Sequence, residues 1–151
     1  MTEGPIFLDS SVFLAFFIDG VDVFEKLKNC ELMTSVNVIE EVAYVLIKET
    51  GKTISQIEKH YDLLKYLREN KDFTKNISRE VVSDISTVIE EYDVKVLSPA
   101  SHILMFNIIE KYGLLPNDAL IAATCKYYGI NKIATFDDDF KKVDFLEVVE
   151  V

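Results

Sequence analysis

The sequence predicts an α/β protein with a parallel sheet covered by helices on both faces. Short apolar runs of strand length alternate along the chain with longer stretches in which apolar residues recur every three or four positions. The predicted strands are PIFL (5–8), ELMTSV (31–36), VKVLS (94–98), NKIATF (131–136) and DFLEVVEV (144–151). Strands that alternate with helices in this way form parallel sheets between two helical layers.

Helices are predicted between most of these strands, and small polar residues or glycine mark several helix ends. The predicted helices span 10–18, 21–29, 37–50, 54–70, 76–92, 100–112 and 119–128. Asp9 or Ser10 is placed to cap the first of them, and Asn117 or Asp118 is placed to cap the last. Gly51 is predicted to stop the helix 37–50, because glycine commonly ends helices.

The composition is that of an ordinary globular domain, and we expect residues 1–151 to form a single one. Apolar residues make up 49% of the chain, which is enough for a substantial core. No apolar run approaches the roughly 18 residues that span a bilayer, and the N-terminus lacks the basic segment of a signal peptide. Because Cys30 and Cys125 are far apart, with no CxxC motif, we expect a reduced cytoplasmic location without a disulfide framework or a zinc site.

Charge is unevenly distributed along the chain. The formal net charge of −10 by itself argues against a nucleic-acid-binding protein, which usually carries a basic face. Bound divalent cations would offset that charge locally. The segment 48–79 also holds eight basic and five acidic residues. This segment is either a solvated helical surface with ion pairs between successive turns or a surface that guides a phosphate backbone.

Four acidic residues, remote in sequence, are placed where the sheet would gather them at one edge. Asp9 directly follows the first strand, and Asp137 follows the strand NKIATF. Glu41 lies in the first turns of the helix after ELMTSV, and Asp118 lies at the start of a helix. Sites in open parallel sheets form at the carboxyl ends of the strands, so these four residues are predicted to share one site.

A cluster of carboxylates favours a divalent metal ion. Carboxylates held close together repel one another and raise one another's pKa, which a bound cation relieves. Oxygen ligands without histidine suit Mg²⁺ or Mn²⁺ rather than Zn²⁺. Such ions activate water and bind phosphate, so the pattern predicts metal-dependent hydrolysis at phosphorus.

Each of these acids also has an ordinary structural interpretation. Asp9 and Asp118 are suitable helix caps. Glu41, beside Glu40, is compatible with the polar face of its helix, and Asp137 lies in a run of three acids that is typical of a solvated turn. It is their joint placement that favours a functional site.

Four segments resemble, in order, the motifs of the PIN-domain family: FLDSSVFLAFF (7–17), TSVNVIEEVAYVL (34–46), LLPNDALIAATCKYYGI (114–130) and IATFDDDF (133–140). The third is the most specific, with an Asp followed by Ala, an apolar residue and a helix of small residues that ends at glycine. The matches span nearly the whole chain, and its length resembles that of the toxin-type, VapC-like ribonucleases.

The resemblance implies a three-layer α/β/α sandwich with a central parallel sheet of about five strands. It also implies cleavage of RNA with Mg²⁺ or Mn²⁺, and the metal-binding acids it implies are Asp9, Glu41, Asp118 and Asp137. Ser11 and Thr135 would orient a ligand or a water, and Asp139 would be an additional or supporting acid. A homodimer and a small antitoxin partner are further expectations, and the helices of about 52–91 would form the variable clip of the family.

Two positions depart from the family pattern. Ser11 stands where the family often has Asn, and Glu40 leaves the alignment of the second motif ambiguous. Glu41 is preferred because it lies six residues after Ser35 and is followed by the apolar Val42.

Several functions remain open from the sequence. The chain is a toxin endoribonuclease, an RNA-processing nuclease outside a toxin system, or a catalytically weak PIN-like scaffold that binds RNA or a partner. A phosphatase on a similar sheet ranks lower, because it would need an Asp where Ser11 stands. His60 and His102 lie outside the motifs and are not expected to act in catalysis.

Overall fold

Five parallel strands form the sheet in the computed structural model, which describes residues 3–151. The strands are β1 (Glu3–Leu8), β2 (Cys30–Ser35), β3 (Lys95–Leu97), β4 (Lys132–Ala134) and β5 (Glu147–Val149). Their order across the sheet is β3-β2-β1-β4-β5, and every neighbouring pair is parallel. The central strand is therefore β1, and the carboxyl ends of β2 and β4 lie on either side of its own.

The helices complete a three-layer α/β/α sandwich, which confirms the predicted fold class. They are α1 (Ser10–Asp19), α2 (Val23–Lys26), α3 (Val36–Ser55), α4 (His60–Glu69), α5 (Lys71–Glu91), α6 (His102–Tyr112) and α7 (Pro116–Tyr128), with a 3-10 helix at Asp138–Lys142. Helix α3 contacts α1, α4 and α5, whereas α6 contacts α7. Among residues 3–151, no helix has both the length and the apolar character needed to cross a bilayer.

The main core forms around β1 and the amino-terminal half of α7. Phe7 and Leu8 of β1 are completely buried. The buried face of α7 is made of small residues, including Ala119, Ala122 and Ala123, which are completely buried in the same core. Burial of this helix fixes the position of its first turn, which carries Asp118.

Gly51 does not stop its helix, contrary to the prediction, and α3 continues to Ser55. Gly51 is buried where α3 meets α4 and α5. A Cβ atom at this position would lie 3.1 Å from Leu67 Cδ2 and 3.4 Å from Ile77 Cδ1. The glycine thus permits a close contact between helices, and the helix instead ends at Gln56, whose φ of 61° is left-handed.

The segment of about 52–91, predicted as the clip, contains helices α4 and α5, and the bounds of these helices differ from the prediction. The predicted helix 54–70 begins only at His60, and α5 begins at Lys71 instead of residue 76. Ile54 and Tyr61 belong to the apolar pattern that predicts the helix 54–70, but they are 57% and 79% exposed. Leu63 and Leu67 of α4 and Ile77 of α5 form a second, small hydrophobic core.

Candidate active site at the carboxyl edge of the sheet

Asp9 occupies the centre of this edge, directly after β1, and is 4% exposed. Its backbone N–H donates to the carbonyl oxygen of Ala134 at 3.1 Å, which ties the end of β1 to the end of β4. Its Oδ2 accepts hydrogen bonds from Ser11 Oγ (2.8 Å) and Thr135 Oγ1 (2.7 Å). Asp9 stands at the N-cap position of α1, but its side chain makes no hydrogen bond that caps the helix. The interpretation of Asp9 as only a helix cap is therefore wrong.

The turn after β4 is held by the same hydroxyl groups. Thr135 Oγ1 accepts a hydrogen bond from the backbone N–H of Asp137 (2.9 Å), and Ser11 Oγ accepts one from the backbone N–H of Phe136 (3.0 Å). Asp137 Oδ1 in turn accepts from the backbone N–H of Asp139 (2.9 Å). The three acids of this turn therefore belong to an ordered segment in which Asp137 caps the 3-10 helix.

Three aspartates meet at the edge. One carboxylate oxygen from each of Asp118, Asp137 and Asp139 lies within 4.8 Å of the other two. Burial is the largest cause that raises the pKa of Asp118 to about 6, and the negative charges of its acidic neighbours add to it. Those neighbours are, in order of effect, Asp137, Asp9, Glu41 and Asp139. The other three predicted acids thus lie within electrostatic reach of Asp118.

Asp118 does not cap α7, and neither does Asn117. The N-cap position belongs to Leu115, and Pro116 opens the helix. Asp118 therefore lies inside the first turn, where the positive end of the helix dipole favours a carboxylate. The proline explains the shift of the boundary, because the first helical position needs no N–H and the proline ring already has a helical φ.

Glu41 reaches the site from α3 and is held by a chain of polar side chains. Its Oε2 accepts a hydrogen bond from Asn117 Nδ2 (2.8 Å), and Asn117 Oδ1 accepts one from Asn37 Nδ2 (3.0 Å). Asn37 also accepts a hydrogen bond from the buried Ser35 hydroxyl. This chain links the end of β2 to the start of α7 and orients Glu41 between them.

The structure also distinguishes the two adjacent glutamates. Glu41 is half-buried and points to the acidic edge, whereas Glu40 is exposed. Burial raises the pKa of Glu41, and the nearby charges of Asp9 and Glu40 add to this effect. Hydrogen bonds from Ser10 and Asn117 oppose the increase without cancelling it.

Sequence reasoning missed the two amides and underestimated Asp139. Asn117 was considered only as a helix cap, and Asn37 was not singled out. The available signal was that Asn37 and Asn117 are polar residues in the first turns of α3 and α7, the two helices that carry Glu41 and Asp118. Asp139, expected as an additional or supporting acid, is one of the three aspartates that meet, and it also forms an ion pair with Lys142 at 3.1 Å.

The donor set suits a hard divalent cation. The converging atoms are carboxylate oxygens, which Mg²⁺ and Mn²⁺ prefer. The raised pKa of Asp118 shows that ionising this group amid the other acids is costly in the protein alone. A cation among the acids would offset their mutual repulsion, so the residues present fit a magnesium or manganese site.

Fold and acidic edge together define the class of this protein. The family model for the PIN domain matches residues 6–146, and the chain belongs to the PIN-domain family. Within that family it is VapC-like. It is 37% identical to Ribonuclease VapC2 of Methanocaldococcus jannaschii, over all of this chain and 97% of the relative. It is 36% identical to Ribonuclease VapC6 of the same organism, over 99% of each chain.

Two solved structures share the fold at low sequence identity. A chain of VapBC2 from Rickettsia felis, solved bound to a DNA fragment from the promoter, superposes with a TM-score of 0.63 at 15% identity. That match covers 97% of this chain and 98% of the neighbour. The protein PAE2754 from Pyrobaculum aerophilum has a TM-score of 0.56 at 17% identity, covering 98% of this chain and 90% of the other.

Proposed function

We propose that this protein is a metal-dependent endoribonuclease that hydrolyses RNA phosphodiester bonds at the acidic edge of its sheet. The observation that carries the proposal is the meeting of Asp118, Asp137 and Asp139 within 4.8 Å, in electrostatic reach of Asp9 and Glu41. The names of the two curated relatives, both ribonucleases, support RNA as the substrate.

The proposed metal-binding and catalytic residues are Asp9, Glu41, Asp118 and Asp137. Asp9 and Asp118 hold the principal ion, and Glu41 and Asp137 complete or share a second position. A bound Mg²⁺ or Mn²⁺ supplies the activation of a water and the neutralisation of charge on the phosphate. Asp139 is the additional acid, since its carboxylate lies with those of Asp118 and Asp137.

The hydroxyl groups of Ser11 and Thr135 act by positioning. Both donate to the same oxygen of Asp9, which stabilises the charge on this buried carboxylate and leaves it one preferred orientation. Thr135 also holds the backbone of Asp137, so one side chain orients two acids. Such supporting contacts keep the ligands of a metal site in place.

The biological setting we propose is that of a toxin paired with a small antitoxin protein. The structural neighbour from Rickettsia felis is a VapBC2 assembly, which supports a protein partner for this chain. Action as a homodimer in the cytoplasm is part of the same proposal and rests on the family resemblance.

The test is cleavage of labelled single-stranded RNA by the purified protein with Mg²⁺, with Mn²⁺ or with EDTA, comparing Asp118→Asn with Asp84→Asn. Asp84 is an exposed acid on α5, so its variant makes the same chemical change away from the site. We expect cleavage that requires metal, is retained by Asp84→Asn and is lost in Asp118→Asn.

Cleavage that survived in Asp118→Asn would indicate a contaminant and contradict the assignment of the site. Absence of cleavage in the wild type, with Mn²⁺ still bound more tightly than by Asp118→Asn, would favour a metal site whose substrate or partner is missing. Absence of both cleavage and metal binding would support the catalytically weak scaffold that binds RNA or a partner.

A further inference from the structure

A groove of about 560 Å³ lies between α3, α4 and α5, and we call it the clip groove. Its floor is apolar and consists of Tyr44 and Ile47 from α3 with Leu64 and Leu67 from α4. Tyr44 lines this groove and is 45% exposed. The groove thus presents an aromatic ring and aliphatic side chains to solvent.

Basic residues border this floor and continue beyond it. Arg68, Lys71 and Lys75 line the clip groove, and a second groove of about 390 Å³ continues along α5 past Lys75 and Arg79. Within residues 3–151, none of these four side chains has a carboxylate within ion-pair distance. In a protein with a net charge of −10, a row of cations left without acidic partners is available to an anionic ligand.

The row follows the geometry of α5. Lys71, Lys75 and Arg79 are four residues apart, so they lie on one flank of the helix about 6 Å from one another along its axis. Glu80 and Asp84 lie on the other side of the same helix by the same periodicity. Asp72 lies beside this flank, near the angular position of Arg79, so the strip carries three positive charges against one negative charge and still suits a ligand with regularly spaced negative charges.

The clip groove begins close to the acidic site. Glu41 and Tyr44 lie on successive turns of α3, which places their backbones about 4.5 Å apart along the axis, and Ile47 follows one turn later. Lys48 lies 5.6 Å from the centre of the Tyr44 ring, and this contact helps to hold the ring at the mouth of the groove. A strand that leaves the acidic site along α3 would meet Tyr44 first and then the cations of α4 and α5.

We propose that the clip groove binds single-stranded RNA that extends from the scissile phosphate, an inference that rests on the proposed nuclease function. Tyr44 stacks on a base, and Lys71, Lys75 and Arg79 contact successive phosphates. Grooves that bind single strands combine these two elements, a basic track for the backbone and an aromatic ring for the bases. The cationic row continues past the apolar floor, which favours an extended polyanion over a short acidic helix seated only on that floor.

The experiment compares two triple variants of equal net charge, each measured against the wild type. In the first, Lys71, Lys75 and Arg79 are replaced by alanine. In the control, the exposed residues Lys26, Lys28 and Lys111 are replaced by alanine. For each protein, KM and kcat for a long single-stranded RNA are measured at several salt concentrations. Binding of the same RNA is measured in an Asp118→Asn background, where no cleavage is expected.

We expect the α5 variant to raise KM and weaken binding at least tenfold, with little change in kcat. Three lost phosphate contacts would also reduce the slope of log affinity against log salt by about 2. The control variant should keep the wild-type slope. Tyr44→Ala should weaken binding about tenfold without changing the salt slope, and Tyr44→Phe should restore it, because stacking needs the ring and not the hydroxyl.

An unchanged affinity and salt slope in the α5 variant would overturn the inference, as would equal losses in the two triple variants. If the α5 variant kept RNA binding but lost binding of a synthetic Glu- and Leu-rich helical peptide, the clip groove would be a protein-docking site instead. Metal-dependent cleavage by the wild type at saturating RNA tests the nuclease function separately. A failure of the nuclease function can therefore be distinguished from a failure of RNA binding in the clip groove.

Discussion

Asn117 donates a hydrogen bond of 2.8 Å to Glu41, and this contact joins α7 to α3 at the acidic edge. Asn117 also accepts from Asn37, so its amide has a defined orientation with the NH₂ group toward the carboxylate. Asn117 thus holds Glu41 among the other acids without being an acid itself. The geometry of the acidic edge thus depends on amide side chains as well as on the acids themselves.

Replacing Asn117 by alanine should lower kcat/KM for RNA by about 10- to 100-fold, the usual cost of removing a residue that orients a metal ligand. The effect should be accompanied by weaker Mn²⁺ binding, measured by titration calorimetry. Asn107→Ala on the exposed part of α6 is the matched control and should behave as wild type. Wild-type kcat/KM and metal affinity in Asn117→Ala would show that Glu41 needs no such support.

Thr135→Val should reduce both activity and stability. The variant keeps the volume of the side chain but removes the donor to Asp9 and the acceptor for the backbone of Asp137, at a site that is 4% exposed. Leaving buried polar groups unpaired costs about 1–3 kcal/mol, which urea denaturation would detect.

The control for Thr135→Val is Thr87→Val on α5, where an exposed hydroxyl bonds only to the carbonyl of Ser83. This variant should change the free energy of unfolding by less than about 0.5 kcal/mol. If the two variants were equally stable and active, the hydroxyl of Thr135 would have no special role at Asp9.

The metal-free protein should become less stable as the pH rises from about 4 to about 7. Asp118 has a pKa of about 6 in the folded protein against an ordinary value of 3.8, so the folded state binds more protons in this interval. The stability that protonated Asp118 contributes is therefore fully present below its ordinary pKa of 3.8. It is lost as the pH rises through the folded-state pKa of about 6. The raised pKa of Glu41 acts in the same direction.

Once solvent screening is allowed for, we expect Asp118 to contribute about 1–2 kcal/mol to this decrease. The measurement is urea denaturation in EDTA at pH 5 and pH 7.5. Asp118→Asn should reduce the pH dependence, and added Mg²⁺ should stabilise the wild type at pH 7.5 by binding the folded state. An equal pH dependence in Asp118→Asn and wild type would show that another group is responsible.

Gly51 should tolerate alanine but not a large side chain. A Cβ atom at 3.1 Å from Leu67 Cδ2 requires a small shift of that side chain, and the higher helix propensity of alanine offsets the cost. Gly51→Leu has no such space, and overpacking should destabilise the protein by about 1–3 kcal/mol in thermal denaturation. A Gly51→Leu variant as stable as the wild type would mean that the helices of the clip separate easily.

The helix boundaries show where sequence patterns were insufficient. The periodic apolar residues identified each long helix, but the end of α3 was wrong because Gly51 was treated as a local signal. Its role depends on Leu67 and Ile77, which approach it from two other helices. Likewise Pro116, rather than a side-chain cap, determined the start of α7.

The acids at the strand ends were predictable because the chain itself places them. A buried strand followed by an acid puts that acid at the carboxyl edge, and Asp9 and Asp137 follow strands that proved to be neighbours. The metal-binding role of these residues stays a prediction. From the sequence, Glu41 could only be preferred over Glu40. Adjacent side chains on a helix point about 100° apart, so only one of the two glutamates faces the site, and the packed structure is needed to show which one.

By itself, the sequence determined the fold class, the approximate elements and the family, because periodicity and short motifs are local properties of the chain. Tertiary structure decided which side chains meet: Asn117 with Glu41, Thr135 with Asp9, and Asp139 with Asp118 and Asp137. Among residues 3–151, it also left Lys71, Lys75 and Arg79 of α5 without a carboxylate in ion-pair distance, beside an apolar groove. These relationships join residues far apart in sequence, and they exist only once helices and strands have packed, since side-chain contacts extend over a few ångströms.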